Sequence, residues 1–264
     1  MINKAEKIVS EFYNSVGWET KDEITEDARR FEDLRESVQD YVRKCRLRVL
    51  RHIPVSGENI LDMASGPIQY KEYLQYSKHF NKRYCVDLSA QALEEAKKKI
   101  GSHGEYFPLS FFDINFDENY FDCSISIHTI YHIDKDNQEE AIRKLLFVTK
   151  KGAPIIIIYN NQNSLVSKAS RFINKMRKIK NGEEQKEMEL YFYCHPVQWW
   201  NRFNDNADLL VVPWRSFASN VQKKIIPNNV IGKFILNKLF VLEDKFPKVF
   251  VNNFQYYMII LRKR

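Results

Sequence analysis

The chain has 264 residues, of which 44% are hydrophobic and 28% charged, which predicts one α/β domain of ordinary size with an appended subdomain. Its longest clean apolar run, IIIIY at 155–159, is too short for a membrane span, and the acidic N-terminal segment lacks the apolar core of a secretory signal. The net charge of +7 permits anionic partners without requiring nucleic acid, and the four scattered cysteines exclude a zinc or disulfide framework and predict a cytoplasmic location.

The first 52 residues predict a helical N-terminal lid. Apolar residues recur at helical spacing from Ala5 to Phe12, so a short amphipathic helix is expected to end near Gly17. The charged stretch ETKDEITEDARRFEDLRES that follows is expected to form a loop or lid. A second amphipathic helix is predicted over 36–52.

Strands and helices alternate regularly from residue 59 to residue 160. The predicted strands are NILDMA, RYCVDLS, EYFPLSF, FDCSISIH and APIIIIY. The predicted helices are PIQYKEYLQYS, one from the cap Ser89 to Gly101, and one from the cap Asp136 to Gly152. This alternation is typical of βαβ units in a doubly wound sheet, and the fully apolar APIIIIY suits the middle of a parallel sheet.

The pattern changes after Asn160, where an amphipathic helix is predicted over 163–180. Its six cations can form the solvated face of a cap helix packed on the sheet, or a peripheral contact with an anionic membrane surface. A strand DLLVVPW, a helix near 231–243 and an antiparallel strand FQYYMIILRK follow. The cations are Lys168, Arg171, Lys175, Arg177, Lys178 and Lys180; the apolar face comprises Leu165, Val166, Ala169, Phe172, Ile173, Met176 and Ile179.

We therefore divide the chain into four parts of a single domain. Residues 1–52 form the lid and 53–160 the Rossmann-like core. Residues 161–230 form an insertion with substrate-facing elements, and 231–264 form the last helix and the last sheet strand.

A turn of small residues follows the first core strand. Ligands of open α/β sheets bind beyond the carboxyl ends of strands, where the backbone must approach the ligand closely. The turn ASG at 64–66 meets that need, since its side chains are small or absent. Asp87 ends the second strand, where an acid can accept hydrogen bonds from a ribose diol.

The order ILDMASGP, CVDLS, FDCSISIHTIYHI and KKGAPIIIIY resembles the class I S-adenosylmethionine-dependent methyltransferases over about residues 36–160. The strand FQYYMIILRK is similar to the last sheet strand of that family. The resemblance implies an α/β, doubly wound, mostly parallel seven-stranded sheet with an antiparallel last strand. Only Gly66 of the family's three motif glycines is kept, and this suits a cofactor that has no pyrophosphate to seat on a helix N-terminus, unlike NAD.

The resemblance implies S-adenosyl-L-methionine as cofactor and S-adenosyl-L-homocysteine as product. By this resemblance the backbone of Ala64, Ser65 and Gly66 contacts the methionine moiety. Asp62 lies close to the ligand or orients the turn through hydrogen bonds to its backbone amides. Asp87 accepts hydrogen bonds from the ribose hydroxyls.

The adenine site follows from the same resemblance. Leu88 is placed beside the adenine ring. The family usually carries an acid near the adenine amino group after the third strand, and the matching position here is Ser110. Asp113, three residues later, is an alternative.

His128 ends the strand SISIH at the place where the transferred methyl group is expected. An imidazole titrating near pH 7 suits a catalytic base, and the alternatives are a substrate contact or a structural histidine. His132 is interpreted as structural, and Tyr131 as lining the substrate pocket or packing. The two histidines do not form HExxH and no acid ligand accompanies them, so no metal site is expected.

Two aromatic groups are further candidates. Tyr13 and Trp18 follow the first helix, where they can cover the cofactor and stabilise its sulfonium by cation–π contact, or simply pack. A second group can face the acceptor with Trp199 in the wall, or belong to the core. This second group comprises Tyr191, Tyr193, His195, Trp199 and Trp200.

The predicted function is methyl transfer by in-line displacement to an oxygen or nitrogen atom of a small-molecule, sugar or lipid-linked acceptor. One alternative is an RNA-modifying methyltransferase, which is disfavoured because SIHTIYHI stands where base-amino methylation uses an Asn/Asp-Pro-Pro-aromatic element. The other is a catalytically inactive methyltransferase-like partner protein. The altered turn and the serine at position 110 keep that alternative open.

Overall fold

The computed structural model of the chain describes residues 4–18, 20–21, 24–181 and 190–264. The α-helices of these ranges are α1 Lys4–Phe12, α2 Glu26–Phe31, α3 Glu36–Leu47, α4 Lys71–Leu74, α5 Ala90–Ile100, α6 Gln138–Val148, α7 Leu165–Asn181, α8 Ser219–Ile225, α9 Val230–Lys245 and α10 Pro247–Asn253. The strands are β1 Thr20–Lys21, β2 Ile24–Thr25, β3 Gly57–Met63, β4 Phe80–Val86, β5 Gly104–Phe107, β6 Cys123–Ile127, β7 Pro154–Asn160, β8 Ala207–Arg215 and β9 Tyr256–Lys263.

A seven-stranded sheet organises the fold, with the order β5-β4-β3-β6-β7-β9-β8. The first five of these strands run parallel, whereas β9 pairs antiparallel with both β7 and β8. All seven residues of β7 are buried, as expected for a central strand covered on both faces. The predicted fold class is confirmed.

Helices cover the two faces of the sheet and form separate cores. On one face, α6 packs with the 3₁₀ helix Val197–Phe203 against β3, β7 and β9. On the other face, α3 and α9 pack against the same strands. The layered α/β arrangement follows directly from the alternation of apolar strands and amphipathic helices.

A buried charge network fixes α9 to α3 and to the end of β8. Glu243 of α9 accepts a hydrogen bond from Arg48 at 2.6 Å and another from Tyr41 at 2.5 Å. The same carboxylate accepts from the backbone of Ser216 at 3.0 Å, while Arg48 donates to the carbonyl of Trp214 at 2.8 Å. Because a buried charge without partners is costly, this network holds α9 in one position.

Several local expectations need correction. The charged stretch predicted as a loop or lid contains the antiparallel strand pair β1–β2 and the helix α2. The helix predicted over PIQYKEYLQYS is short, because its first residues form a turn in which Ile68 has a φ of +48°. Helix α6 is preceded by Asn137 and not by Asp136, whereas the predicted cap Ser89 does accept from Ala92 at the start of α5.

Helix α7 is present as predicted, but its apolar residues are not packed on the sheet. Phe172 is 66% exposed, and Leu165, Ile173 and Met176 are also exposed. The predicted cap-helix packing is therefore wrong for these residues. The side chains of Arg177, Lys178, Ile179 and Lys180 lie outside the described part. No helix among the described residues is long and apolar enough to cross a membrane.

Candidate active site

A cleft of about 1140 Å³ opens at the carboxyl ends of β3, β4 and β6. The strand order reverses between β3 and β6, and such a switch point is where open α/β sheets bind ligands. Ligand pockets commonly measure roughly 300–1,000 Å³, so this cleft has room for two ligands side by side. Besides the sheet, α1 and the segment around α2 line it.

The turn after β3 has two residues in the left-handed region, which glycine adopts freely and residues with a Cβ adopt with strain. Ala64 and Gly66 have φ values of +57° and +55°. The amides of Ala64 and Ser65 donate to the carbonyl of Val86 at 2.7 and 3.3 Å, so the turn is tied to the end of β4. The positive φ favours glycine at position 66, whereas Ala64 adopts it at a cost in strain.

Asp87 holds the same turn from the neighbouring strand. Its carboxylate accepts hydrogen bonds from the amides of Gly66 and Ser89, both at 2.8 Å. Burial raises the pKa of Asp87 to about 6, although these two amides act in the opposite direction. No ion pair among the described residues includes Asp87, so its remaining lone pairs face the cleft without a cation.

Asp62 lines the cleft, but its carboxylate is held by Arg83 and not by the amides of the turn. Arg83, which is buried, donates two hydrogen bonds to its carboxylate, one of them from Nε at 3.0 Å. Arg83 also donates to the carbonyl of Tyr73 at 2.7 Å. Asp62 therefore braces β3 against β4, Arg83 also ties this pair to α4, and it is Asp87 that accepts from an amide of the turn.

The N-terminal segment covers the turn. Trp18 packs over Gly66, at 3.0 Å from the place where a Cβ would stand. Tyr13 stacks on Trp18 with ring centroids 4.7 Å apart and donates to Asp27 of α2 at 3.5 Å. Asp27 also accepts from Gln69 at 3.2 Å, and burial raises its pKa to about 6. This second carboxylate was not foreseen from the sequence.

Ser110 lies beside the cleft rather than in its wall. It is buried and its hydroxyl donates to Glu6 of α1 at 2.5 Å. Glu6 lines the cleft together with Leu88, Leu109 and Phe111. The acid expected near position 110 is thus present in space on another segment, whereas Asp113 is exposed.

His128 lies at the end of β6 with its imidazole in the cleft. Its φ is +62°, and its ring contacts Trp214 and Tyr256 at centroid distances of 4.6 and 5.3 Å. Nδ1 has no hydrogen-bond partner among the described residues. Burial, reinforced by the charge of Arg215, lowers the pKa of His128 to about 3. The expectation that His128 titrates near pH 7 is therefore wrong for this cleft.

A charged cluster behind His128 was missed by the sequence reasoning. Arg215, at the end of β8, donates to Glu32 at 3.0 Å, and Arg46 lies 3.7 Å from the same carboxylate. Burial alone would raise the pKa of Glu32, but the two arginines lower it. Arg46 also stacks 3.3 Å from the ring centroid of Tyr70, another cleft residue. No local sequence pattern joins segments so far apart in the chain.

The remaining candidates separate into two groups. Tyr131 is buried and lines the cleft, as does Tyr191. His132 is bonded through Nδ1 to the carbonyl of Tyr191 at 2.7 Å, which fits the structural role expected for it. Trp199 is part of the core and stacks on His195 at 4.3 Å, so its placement in the acceptor wall is wrong.

Metal ligands and thiols do not contribute to the site as described. Within the described ranges, no group of three or more His, Cys, Asp or Glu side chains is placed to hold a metal ion. All four cysteines are buried as free thiols.

Comparison with known proteins identifies the fold. Residues 61–157 match the family model described as a methyltransferase domain. A search of curated proteins finds no match in sequence. Among solved structures, the geranyl diphosphate C-methyltransferase from Streptomyces coelicolor A3(2) is similar at 14% identity and a TM-score of 0.58, covering 99% of this chain and 98% of that chain.

A SAM-dependent methyltransferase from Archaeoglobus fulgidus is similar at 15% identity and a TM-score of 0.55, covering 85% of this chain and 94% of that chain. At these identities the similarity shows a shared fold.

Proposed function

We propose that the chain, which is a class I S-adenosylmethionine-dependent methyltransferase, transfers a methyl group to an oxygen or nitrogen atom of a small-molecule or lipid-linked acceptor. The observation that carries this proposal is the neutral imidazole of His128, which lines the cleft at the strand end together with the cofactor turn. When bound, S-adenosylmethionine supplies an electrophilic methyl group on a sulfonium.

The cleft residues fit this cofactor. The small-residue turn at Ala64–Gly66 lines the cleft, and we assign it to the methionine moiety. Asp27 and Asp87 are carboxylates of raised pKa in a buried cleft, and an ionised form of each would be favoured by an ammonium group or by hydroxyl donors. We assign Asp27 to the ammonium group and Asp87 to the ribose hydroxyls.

The adenine end is assigned to Leu88 and to Glu6. Leu88 lines the cleft directly after Asp87, and Glu6 lines it from α1. Because Ser110 donates to Glu6, the serine positions the acid instead of contacting the ring itself. The carboxylate of Glu6 would accept a hydrogen bond from the exocyclic amino group of the adenine.

The acceptor is assigned to the space between His128 and the aromatic wall of the cleft. A neutral imidazole with a free nitrogen accepts a hydrogen bond from an O–H or N–H group, which would direct a lone pair of the acceptor atom toward the methyl donor. Tyr70, Tyr131, Tyr256 and Phe192 provide apolar surface around it. The similar Streptomyces structure contains geranyl diphosphate, which supports a small acceptor with an apolar body.

Titration calorimetry with S-adenosylhomocysteine tests the cofactor assignment. We expect binding by the intact chain, and binding unchanged within about twofold in His128→Ala, because His128 is assigned to the acceptor. Absence of binding at millimolar ligand would refute the proposed function.

Turnover then tests His128. A panel of hydroxyl- and amine-bearing small molecules is screened for release of S-adenosylhomocysteine. On an acceptor found this way, His128→Ala should lose roughly tenfold in kcat, the factor that corresponds to one orienting hydrogen bond worth about 1.4 kcal/mol. The exposed His79 provides the control, and His79→Ala should keep full activity. Equal rates for the two variants would remove His128 from the mechanism.

A further inference from the structure

Helix α9 has two faces with opposite surroundings. Its inner face holds Leu236 and Glu243, which are buried against the sheet and α3. Its outer face repeats at helical spacing and carries six large apolar residues, each at least 40% exposed. These residues are Val230, Ile231, Phe234, Ile235, Val241 and Leu242. We call this outer face the α9 face.

The charged residues of α9 are three lysines and two acids, and one of the lysines, Lys233, pairs with Asp40 of α3 at 3.9 Å. Lys238 and Lys245 fall on the α9 face by helical spacing. Both acids lie elsewhere, because Glu243 is buried and Asp244 pairs with Arg51 of the α3 side at 3.0 Å. The α9 face is therefore apolar and cationic, with no acid of its own helix.

The two lysines lie along apolar surface. The Nζ of Lys238 is 5.4 Å from the ring centroid of Phe234, and that of Lys245 is 5.5 Å from the ring centroid of Phe246. Long cationic side chains in this arrangement cover apolar surface with their methylene groups while the charged end reaches outward. Such a pair suits a boundary between an apolar layer and anionic groups.

Neighbouring elements also expose apolar and cationic side chains. Helix α10 packs against both α9 and α7, and Lys224 of α8 donates to Asn174 of α7 at 3.3 Å. These neighbours expose further apolar side chains, and Lys168, Arg171 and Lys175 are exposed on α7. The apolar set comprises Leu165, Phe172, Ile173, Met176, Ile225, Phe246 and Val249. Exposed apolar surface of this extent is unusual for a protein that contacts only water.

We infer that the α9 face rests on an anionic lipid surface. Apolar side chains entering the headgroup boundary with lysines reaching the phosphates match the interfacial arrangement of membrane-bound helices. A second copy of the chain is a poorer occupant. Symmetric pairing through this face would bring Lys238 and Lys245 toward the same lysines, with no acid of α9 to compensate them. The inference goes beyond the proposed function, since it concerns residues outside the cleft.

Vesicle co-sedimentation tests the inference with the full chain. Vesicles of phosphatidylcholine alone are compared with vesicles containing one quarter phosphatidylglycerol. We expect binding to the anionic vesicles, weakening as salt increases. The variant Lys238→Gln/Lys245→Gln should bind at least about tenfold more weakly, because each lysine near a lipid surface contributes measurably. The exposed pair Lys97 and Lys98 of α5 gives the matched control, and Lys97→Gln/Lys98→Gln should bind as the parent does.

The apolar part is tested by Ile231→Ser/Phe234→Ser, which should also lose about tenfold or more. Thermal unfolding and S-adenosylhomocysteine affinity should match the parent in every variant, which separates this test from that of the proposed function. Two results would overturn the inference. One is the absence of binding to anionic vesicles. The other is a dimer, seen by light scattering, that is lost in Ile231→Ser/Phe234→Ser.

Discussion

Replacing Asp87 by asparagine should weaken cofactor binding and change its dependence on pH. The carboxylate of Asp87 accepts from the amides of Gly66 and Ser89. An asparagine of the same shape keeps one acceptor oxygen but must turn an amino group toward one of these donors. Losing the amide bonds lowers the stability of the turn, whereas losing the charged acceptor for the ribose hydroxyls acts on the ligand itself. A hydrogen bond to a charged group is worth about 1.5–3 kcal/mol, so S-adenosylhomocysteine affinity should fall roughly 10- to 150-fold.

The pH dependence follows from the raised pKa of Asp87, about 6. In the empty cleft the carboxyl is largely protonated below this pKa and ionised above it. A ligand that donates hydrogen bonds to the carboxylate favours the ionised form, so affinity rises with pH up to about 7 and is constant above. Between pH 7 and pH 5 this group alone should weaken binding about tenfold.

Calorimetry with S-adenosylhomocysteine at pH 5, 6, 7 and 8 measures both effects. Asp87→Asn should remove the contribution of Asp87 and leave only the dependence due to Asp27, whose pKa is also about 6. The exposed Asp117 supplies the control, and Asp117→Asn should follow the parent at each pH. If Asp87→Asn binds as tightly as the parent and with the same pH dependence, the assignment of Asp87 to the cofactor is refuted.

Two further substitutions test the framework of the site. Asp62→Asn should lower the free energy of unfolding by about 3–5 kcal/mol, because it leaves the buried Arg83 charge uncompensated, and urea denaturation measures this. The exposed pair of Asp208 with Arg264 is the comparison, and Asp208→Asn should cost less than about 1 kcal/mol. Gly66→Ala and Gly101→Ala both place a Cβ at a residue of positive φ, which costs about 1–2 kcal/mol in strain. The two sites differ in their surroundings, because the new Cβ would press on Trp18 at Gly66, whereas nothing lies within 4 Å of it at Gly101. Gly66→Ala alone should therefore also reduce S-adenosylhomocysteine affinity, and an equal loss in both variants would contradict the packing of Trp18 over the turn.

The sequence predicts the sheet well because its signals are local. The strands β3 to β9 all fall within or next to predicted apolar runs, and Ser89 caps α5 as its position indicates. The elements that were missed lack such signals. Helices α2, α8 and α10 are six or seven residues long, too short for a clear period, and they are held by tertiary contacts.

The site was predictable where it depends on one segment and not where it joins several. The turn at Ala64–Gly66, Asp87 and the position of His128 follow from where each strand ends. The bond from Ser110 to Glu6 joins residues 104 apart, and that from Arg215 to Glu32 joins residues 183 apart. The pKa of His128 could not be foreseen for the same reason, since burial and Arg215 set it.

The position of β9 in the sheet has a consequence for how the nascent chain folds. Ile260 pairs with Ile156 of β7 on one side and with Leu210 of β8 on the other, so β8 joins the sheet only through a strand made after it. While the ribosome is still translating α8 to α10, β8 has no sheet neighbour, and the edge of β7 stays open. Such late, non-local pairing slows folding and leaves strand edges exposed to aggregation. Because β9 pairs with both β7 and β8, its addition completes the sheet that forms the cleft and, in the same step, fixes the part of the chain that carries α9.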